Sequence, residues 1–367
     1  MSAMYGGAPG GQRWGNRTQY DRLATNADQM EWQAVLNGAA HVMAGTMDNE
    51  MAEEADQGLG DGVRTEDLLE GKSRVLELAQ GTTTEIILER IRQLGDAYPF
   101  RHVENSLHYQ ATADQLPMYE LLLGISQAPS LTVGEFTALP RLFEQLSKLA
   151  GMAFLGPTAA GFHTGWPRPE THTRFKSVID QLRTDSGKFF SEWEWRPGSD
   201  LPADPIPALI KDGGMDIVAW RPWADQRGAH LYLLGQCACG GDWLNKTTEL
   251  DMKRLSDWFH PPRVEPLRSF FTPHYAVQGL LREHSRTAGL MFDRVRIVHM
   301  LREPHIRQSV AGLEAEIRAA LAIAKLPPPP TKSAKAGRAP RKMAAKPTAA
   351  ARRPSVRQGS KPLNPPG

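Results

Sequence analysis

The sequence predicts an α/β fold in which a mixed sheet is flanked by helices. Two β-rich runs, 214–223 and 230–239, follow each other closely in the chain. The polar segment between them has the composition of a hairpin loop. Helical apolar periods precede this pair of strands and return after it. Alternation of helical and strand patterns around a hairpin is typical of an α/β domain.

The first 130 residues are predicted to precede the α/β core. Residues 1–30 are rich in Gly, Asn and Gln and have no helical or strand period, which indicates a disordered N-terminus. Residues 31–130 are predicted to be a helical N-terminal region, with helices over 28–43, 82–94 and 117–125. The last of these helices is apolar enough to belong to the core.

The α/β core is predicted over residues 131–275, and it opens with a helix that ends at Gly151. Pro140 is expected to split or restart this helix. Glu144 lies well away from the centre of its apolar stripe, so the helical pattern favours a solvated position for this carboxylate. The stripe itself consists of Leu139, Leu142, Phe143, Leu146, Leu149, Ala150 and Ala153.

Further elements are predicted on both sides of the two central strands. Before them, the segment 156–169 is rich in loop residues, a helix follows over 172–182, and 189–195 is a candidate strand. After them, we expect a helix over 250–259 and a short strand at 270–273.

The C-terminal part of the chain divides into a helical segment, 276–326, and a tail, 327–367. The helical segment is rich in arginine, which suits either phosphate contacts or a solvated surface. Its arginines include Arg282, Arg286, Arg294, Arg296, Arg302 and Arg307.

The tail is a low-complexity segment of Pro and Ala, and it is predicted to be disordered. It holds ten of the 43 Lys and Arg residues and none of the 41 Asp and Glu residues, so the rest of the chain has a net charge of −8. A basic arm of this kind binds polyphosphates through counterion release, and it serves equally as a solubilising linker. The predicted nucleic-acid-binding residues are Lys332, Lys335, Arg338, Arg341, Lys342, Arg352 and Arg353.

Two polar residues on the central strands are candidate metal ligands. Asp216 lies among the apolar residues of the first strand, and Gln236 lies near the end of the second. Side chains alternate across a strand, so Gln236 and Ala238 are expected on one face and the two cysteines, Cys237 and Cys239, on the other. Magnesium accepts a few oxygen ligands and keeps water in its remaining positions. Asp216 and Gln236 are therefore a predicted half-shell for Mg²⁺.

These strands resemble the core of PD-(D/E)xK nucleases, and most closely the D…QxK branch seen in type IV restriction enzymes. The residues that match are Asp212-Gly213-Gly214-Met215-Asp216 and Gln236-Cys237-Ala238, within roughly residues 135–275. The resemblance implies a restriction-endonuclease-like sheet and a magnesium-dependent DNA endonuclease.

The resemblance also implies roles for individual residues. Asp216 and Gln236 would hold the metal ion. The family's lysine position is Ala238 in this chain, and Lys246 is the candidate that would reach back to replace it. The helix before the metal strands carries a Glu that leans towards the site in the family, and Glu144 is the matching residue.

Two functions from different classes follow from these residues. The first is a DNA endonuclease, a phosphodiester hydrolase acting in bacterial restriction or anti-phage defence. The second is a catalytically degenerate nuclease-fold protein that acts as a nucleic-acid-binding or assembly subunit, which Ala238 favours. An α/β interaction protein with a purely structural motif is a third hypothesis. Because the body of the chain is acidic, DNA binding is expected to involve a protein partner or a homo-oligomer.

Composition indicates whether the chain enters a membrane and which redox compartment suits it. No apolar run reaches the ~20 residues that a membrane helix needs, so no membrane partner is expected. Cys237 and Cys239 are too close in one strand for a structural disulfide, which favours a reducing cytoplasm. A lone Cys-x-Cys pair favours small buried residues over a zinc site.

Overall fold

Two β-sheets organise the fold in the computed structural model, which describes residues 19–41, 81–110, 115–165, 174–188, 190–197, 212–225 and 227–329. The smaller sheet is antiparallel and has the order β1-β3-β2. Its strands are β1 (Ala39–His41), β2 (Phe100–Val103) and β3 (Ser106–Tyr109).

The larger sheet is mixed and has the order β4-β5-β6-β7-β8. Its first three strands are antiparallel neighbours, whereas β7 runs parallel to β6 and β8 runs parallel to β7. The strands are β4 (Ala160–His163), β5 (Ile217–Arg221), β6 (Leu231–Cys237), β7 (Leu267–Phe271) and β8 (Leu290–Phe292).

Helices surround both sheets and account for most of the remaining described residues. They are α1 (Gln19–Asn37), α2 (81–94), α3 (Met118–Gln127), α4 (Ala138–Leu155), α5 (Phe175–Asp185), α6 (Met252–Leu255), α7 (Gln278–Ala288), α8 (Arg294–Leu301), α9 (Arg307–Ala311) and α10 (Glu314–Ala324).

The larger sheet is covered by a helix on each face, which gives the predicted α/β arrangement. The apolar stripe of α4 is buried against Ile217, Ala219 and Leu233 on one face. On the other face, the apolar residues of α5 pack with Val218 and Leu234. The alternation of side chains along β5 and β6 therefore divides two hydrophobic clusters between opposite faces. Pro140 lies in the first turn of α4, where its missing N–H costs no helical hydrogen bond, so α4 is continuous.

The N-terminal helices pack against the same hydrophobic cluster as α4. This cluster contains apolar residues from α1 to α3, from one face of the large sheet and from α8 to α10. The described chain up to Pro329 belongs to one compact unit. The predicted boundaries at residues 130 and 275 therefore fall within a shared core.

A buried ion network ties α1 to two distant helices. Asp28 and Glu31 on α1 face Arg90 on α2 and Arg294 on α8. The distances from Arg90 are 2.8 Å to an Asp28 oxygen and 2.7 Å to a Glu31 oxygen, and Arg294 approaches the other Asp28 oxygen to 2.7 Å. The network has two carboxylates and two guanidinium groups, so its formal charges cancel.

The structure corrects the predicted start of order at the N-terminus. Residues 19–30 belong to α1, although the region 1–30 was expected to be disordered. The helix is stabilised by small apolar residues that recur on one side and are buried, among them Ala24, Ala27 and Ala34. Alanine gives a weak apolar signal, and this explains why the composition alone indicated disorder. The predicted helix over 28–43 ends at Asn37 and is followed by β1, and residues 42 and 43 lie outside the described residues.

Two other predicted elements near the central strands are wrong. Residue 189 lies outside the described residues, and 190–195 form no strand, because Phe190 and Trp193 have φ angles of 44° and 57° and Trp195 forms an isolated bridge. The helix expected over 250–259 is limited to the four residues of α6. The hairpin is confirmed as β5–β6, and α5 overlaps the helix predicted over 172–182, of which residues 172 and 173 lie outside the described residues. The strand predicted at 270–273 overlaps only the last two residues of β7.

Candidate functional site

Asp216 stands at the start of β5, where the ends of three strands meet. Its backbone N–H donates to the Gly235 carbonyl at 2.9 Å, and its side-chain oxygen Oδ2 accepts from the Cys237 N–H at 2.7 Å. The carboxylate is therefore bonded to the backbone of the residue that follows Gln236. The Asp216 carbonyl accepts from the N–H groups of Thr164 and Gly165, just after β4, at 2.8 and 2.9 Å.

Helix α4 brings Glu144 to the same end of the sheet. The side chain of Glu144 is 13% exposed and is hydrogen-bonded to Nε2 of His163, the last residue of β4. Gly165 makes this approach possible, since an added Cβ there would lie 2.5 Å from the Glu144 oxygen Oε2. The solvated position that the helical pattern favoured for Glu144 is therefore wrong.

Gln236 is 3% exposed, and only one of the two polar atoms of its side-chain amide is hydrogen-bonded within the described residues. Its Nε2 donates to the carboxylate of Glu249 at 2.6 Å. Within the described part of the chain, its buried Oε1 has no hydrogen-bond partner. Buried polar atoms are normally bonded, and an unpaired carbonyl oxygen therefore suits a ligand or an ion.

The Asp-Gly-Gly run forms the tight turn that leads into β5. Asp212 accepts from the Gly214 N–H at 2.9 Å, and Gly213 and Gly214 have φ angles of 65° and 81°, which favour glycine. A Cβ at Gly214 would meet the Glu249 carbonyl at 2.9 Å. Arg254 donates from Nη2 to the carbonyls of Gly213 and Glu249, at 2.8 and 2.5 Å, and so joins the turn to the segment after β6.

We refer to Glu144, Asp212, Asp216 and Glu249, with Gln236 and His163, as the carboxylate site. Burial raises the pKa of Asp216 well above its usual range, and the charges of Glu144, Asp212 and Glu249 raise it further. The Cys237 N–H opposes these effects without cancelling them. Among the described residues, none of the four carboxylates forms an ion pair with a lysine or an arginine. Within the described residues, the site therefore brings four carboxylates together without a direct lysine or arginine partner.

Lys246, the predicted replacement for the family lysine, lies close to the site but pairs with none of these carboxylates. It ends a short 3-10 turn, Trp243–Lys246, and is partly exposed. Burial raises the pKa of the Cys239 thiol, and the Lys246 charge works against this rise. Ala238 is buried beside Trp243 and Phe270, in an apolar cluster.

Two oxygen atoms of the kind that a hard divalent cation accepts belong to this site. Among the described residues, no group of three or more His, Cys, Asp and Glu side chains is arranged to hold a metal ion. An oxygen of Asp216 and the unpaired Oε1 of Gln236 nevertheless provide two ligands of the type that Mg²⁺ accepts, with water completing its shell.

The predicted nucleic-acid-binding residues of the tail all lie outside the described residues. The arginine-rich segment before the tail, in contrast, is partly structural. Arg294 is fully buried in the ion network, Arg302 forms a bidentate pair with Asp96, and Arg296 donates to the Met291 carbonyl. These three arginines are thus engaged within the fold.

Sequence reasoning missed two members of the site, His163 and Glu249. His163 ends a strand whose sequence, Ala-Gly-Phe-His, has weak β-propensity, and the segment was predicted to be a loop. Gly161 in that strand allows close packing of α4, because an added Cβ would lie 2.7 Å from the Met152 sulfur. Glu249 lies in a turn, and its sequence signal is only its position three residues after Lys246.

No family model, no curated protein and no solved structure matches this chain. No helix in the described ranges is long and apolar enough to cross a bilayer.

Proposed function

We propose that this chain is a magnesium-dependent endonuclease that hydrolyses phosphodiester bonds in DNA. One observation carries the proposal: the Asp216 carboxylate bonds to the backbone next to Gln236 and lies near other carboxylates, and a buried oxygen of Gln236 has no partner among the described residues. A cation would satisfy both the unpaired oxygen and the unbalanced charge.

The order of elements supports a restriction-endonuclease-like core. The resemblance requires a helix, an irregular segment, a strand, a hairpin and a further helix. The observed order is α4, β4, α5, β5–β6 and α6, so the required elements occur in sequence with α5 inserted between the strand and the hairpin. In this interpretation the strand before the hairpin is β4, in place of the segment 189–195. The three residues Glu144, Asp216 and Gln236 then come from the helix, the first hairpin strand and the second hairpin strand.

Each residue has a distinct role in the proposed reaction. Asp216 and Gln236 would hold a magnesium ion, with a carboxylate and an amide oxygen as the available ligand atoms. The chemistry that the ion would supply is activation of water and stabilisation of the charge that develops on the phosphate. Glu144, bonded to His163, is placed to accept a proton or to orient water at the same end of the sheet. Lys246 supplies positive charge near the site without contacting its carboxylates.

A second function is favoured by one observation, the buried Ala238 in the position of the family lysine. A nuclease-fold protein without that cation would bind nucleic acid or assemble with other subunits, without cleaving. This alternative predicts DNA binding that is independent of magnesium.

The setting that we propose is bacterial restriction or anti-phage defence in the cytoplasm. Cys237 and Cys239 are free thiols, which fits a reducing compartment. The body of the chain has a net charge of −8, with the basic tail excluded. Contact with DNA would then be made through the tail, and a protein partner or a second copy would add binding surface.

The test is cleavage of supercoiled plasmid, methylated or unmethylated, with magnesium or with EDTA. The wild type is compared with Asp216→Asn and with Asp225→Asn, a matched control in the exposed hairpin loop at the other end of β5. We expect nicking that needs magnesium, is lost in Asp216→Asn and persists in Asp225→Asn. Magnesium-independent gel shifts without cleavage would favour the second function, and cleavage confined to RNA would overturn the choice of DNA.

A further inference from the structure

The amide of Gln236 can face a cation with either of its two ends, and only one of them is a ligand. The oxygen binds a metal ion, whereas the NH₂ group donates hydrogen bonds and repels it. The orientation of a glutamine amide is decided by the hydrogen bonds around it. The group that fixes this orientation therefore decides whether Gln236 can serve the site.

We propose that Glu249 is a positioning residue that holds the Gln236 amide with its oxygen free for the cation. This inference rests on the proposed function, since it concerns the same site. An ionised carboxylate accepts hydrogen bonds and donates none, so the atom that faces it at 2.6 Å must be the amide nitrogen. The oxygen on the other branch of the amide is then turned away from Glu249, and it is the atom for which the described part of the chain provides no partner.

Glu249 is exposed, yet its backbone is fixed from two sides. Its carbonyl accepts from Arg254 Nη2 at 2.5 Å, and its N–H donates to the Lys246 carbonyl at 3.1 Å. The same Arg254 nitrogen binds Gly213 in the turn before Asp216. Arg254 thus joins the backbone of Glu249 to the turn before Asp216, and the side-chain bond joins Glu249 to Gln236.

The charge of Glu249 alone is a simpler explanation for an effect on metal binding than positioning of the Gln236 amide. A comparison with Asp212 separates these two explanations. Both carboxylates act on Asp216 electrostatically, and both raise its pKa. Asp212 accepts from the Gly214 N–H, whereas the Gln236 amide bonds to Glu249. Asp212→Asn removes one charge while keeping its acceptor oxygen, so it reports the charge effect alone.

The experiment is a titration of full-length protein with Mn²⁺, in which free Mn²⁺ is measured by electron paramagnetic resonance. The variants are Glu249→Gln, Asp212→Asn and Asp216→Asn. Each variant must first show a urea-unfolding midpoint that is equal to that of the wild type or higher. Partners that orient metal ligands typically change metal affinity by 10–100-fold. We expect Glu249→Gln to weaken Mn²⁺ binding by about 10-fold or more, and Asp212→Asn to weaken it clearly less.

A swapped pair provides the second, independent readout. In the double variant Gln236→Glu with Glu249→Gln, the hydrogen bond is kept with its polarity reversed, and the number of charges is unchanged. One oxygen of the new carboxylate remains free for the ion, so we expect Mn²⁺ affinity to recover relative to Glu249→Gln alone.

The outcomes distinguish this inference from the function on which it rests. Equal effects of Glu249→Gln and Asp212→Asn, or no recovery in the swapped pair, would overturn the positioning role while Asp216-dependent binding still stands. Wild-type protein that binds no Mn²⁺, or binds it equally after Asp216→Asn, would overturn the proposed metal site and this inference with it.

Discussion

The pKa of an aspartate is lowered in the buried ion network and raised in the carboxylate site. In the network, burial by itself would raise the pKa of Asp28, but Arg294 and Arg90 outweigh it and lower the pKa from 3.8 to about 2. In the carboxylate site, burial raises the pKa of Asp216, and neighbouring carboxylates raise it further. Both aspartates lie among charged residues of the same fold, so their neighbours make the difference.

This contrast separates a structural cluster from a site that is suited to a ligand. The network is complete, because each carboxylate already has a guanidinium partner. The carboxylate site has several carboxylates that act on one another and, as far as the described ranges extend, an unpaired amide oxygen. An arrangement of this kind costs folding free energy, and perturbed pKa values of this kind are frequent at functional sites.

The largest expected effect follows from breaking the balance of the network. Replacing Arg90 by Met leaves Glu31 and Asp28 with less compensation in a buried position. Removal of one partner from a buried ion pair costs about 3–5 kcal/mol. We expect a loss of that size in the free energy of unfolding, measured by urea denaturation.

Arg302→Met is the control for that experiment, since its partner Asp96 is largely exposed. Exposed ion pairs contribute about 0–1 kcal/mol. Equal losses in the two variants would show that the network has no special weight.

The second effect concerns catalysis, and it follows from removing the charge of Asp216 in the carboxylate site. Asp216→Asn should lower the rate of plasmid cleavage by about 100-fold or more, since it removes a proposed direct ligand. Stability at neutral pH should stay the same or rise, because the folded state disfavours the ionised form of Asp216. A variant with lower activity and a lower unfolding midpoint would indicate a structural role instead.

The third prediction uses the pH dependence of the network. The folded pKa of Asp28 is about 2, below its ordinary 3.8, so ionised Asp28 stabilises the folded state above pH 3.8. That contribution is lost as the pH falls from 3.8 towards 2, and its size is about 2 kcal/mol. The free energy of unfolding, measured across this range, should fall less steeply in Asp28→Asn than in wild type. Parallel pH profiles would contradict the assignment.

The smallest effect should come from Gly165, which only gives Glu144 room. In Gly165→Ala, the new Cβ would displace the Glu144 carboxylate from its bond with His163. Misplacement of a reacting group by about 1 Å can cost up to 10²-fold in rate, and we expect about 10-fold here because the carboxylate can shift. Gly279→Ala, where a Cβ meets open space, should leave cleavage unchanged.

The predictable part of the site is the part that two adjacent strands encode. Asp216 and Gln236 were predicted because strand alternation and hairpin pairing are local properties that a sequence displays directly. The helical apolar period is equally local, and it gave the stripe of α4 and, together with the strands, the α/β class. Glu144 was a candidate, but its position depended on the packing of α4 against β4, which no helical period reveals.

The missed parts depend on contacts between distant segments. β4 was hidden because Gly161 and Ala160 serve close packing rather than β-propensity. Glu249 enters the site through a side-chain bond across 13 positions of the chain. Arg294 was expected among phosphate-binding or solvated arginines, yet its partner Asp28 lies 266 positions away. Such pairings follow from tertiary packing and cannot be derived from spacing.

The most direct test of the contrast between the two clusters is calorimetric titration of the full chain with Mg²⁺. We predict that one ion binds per chain, that Asp216→Asn abolishes the binding heat, and that Asp28→Asn leaves it in place. Thermal unfolding should agree: at a hundredfold excess over the dissociation constant, binding stabilises the folded state by about 2.7 kcal/mol. Absence of a binding heat in the wild type, or its persistence in Asp216→Asn, would contradict the claim that the carboxylate site is suited to a cation.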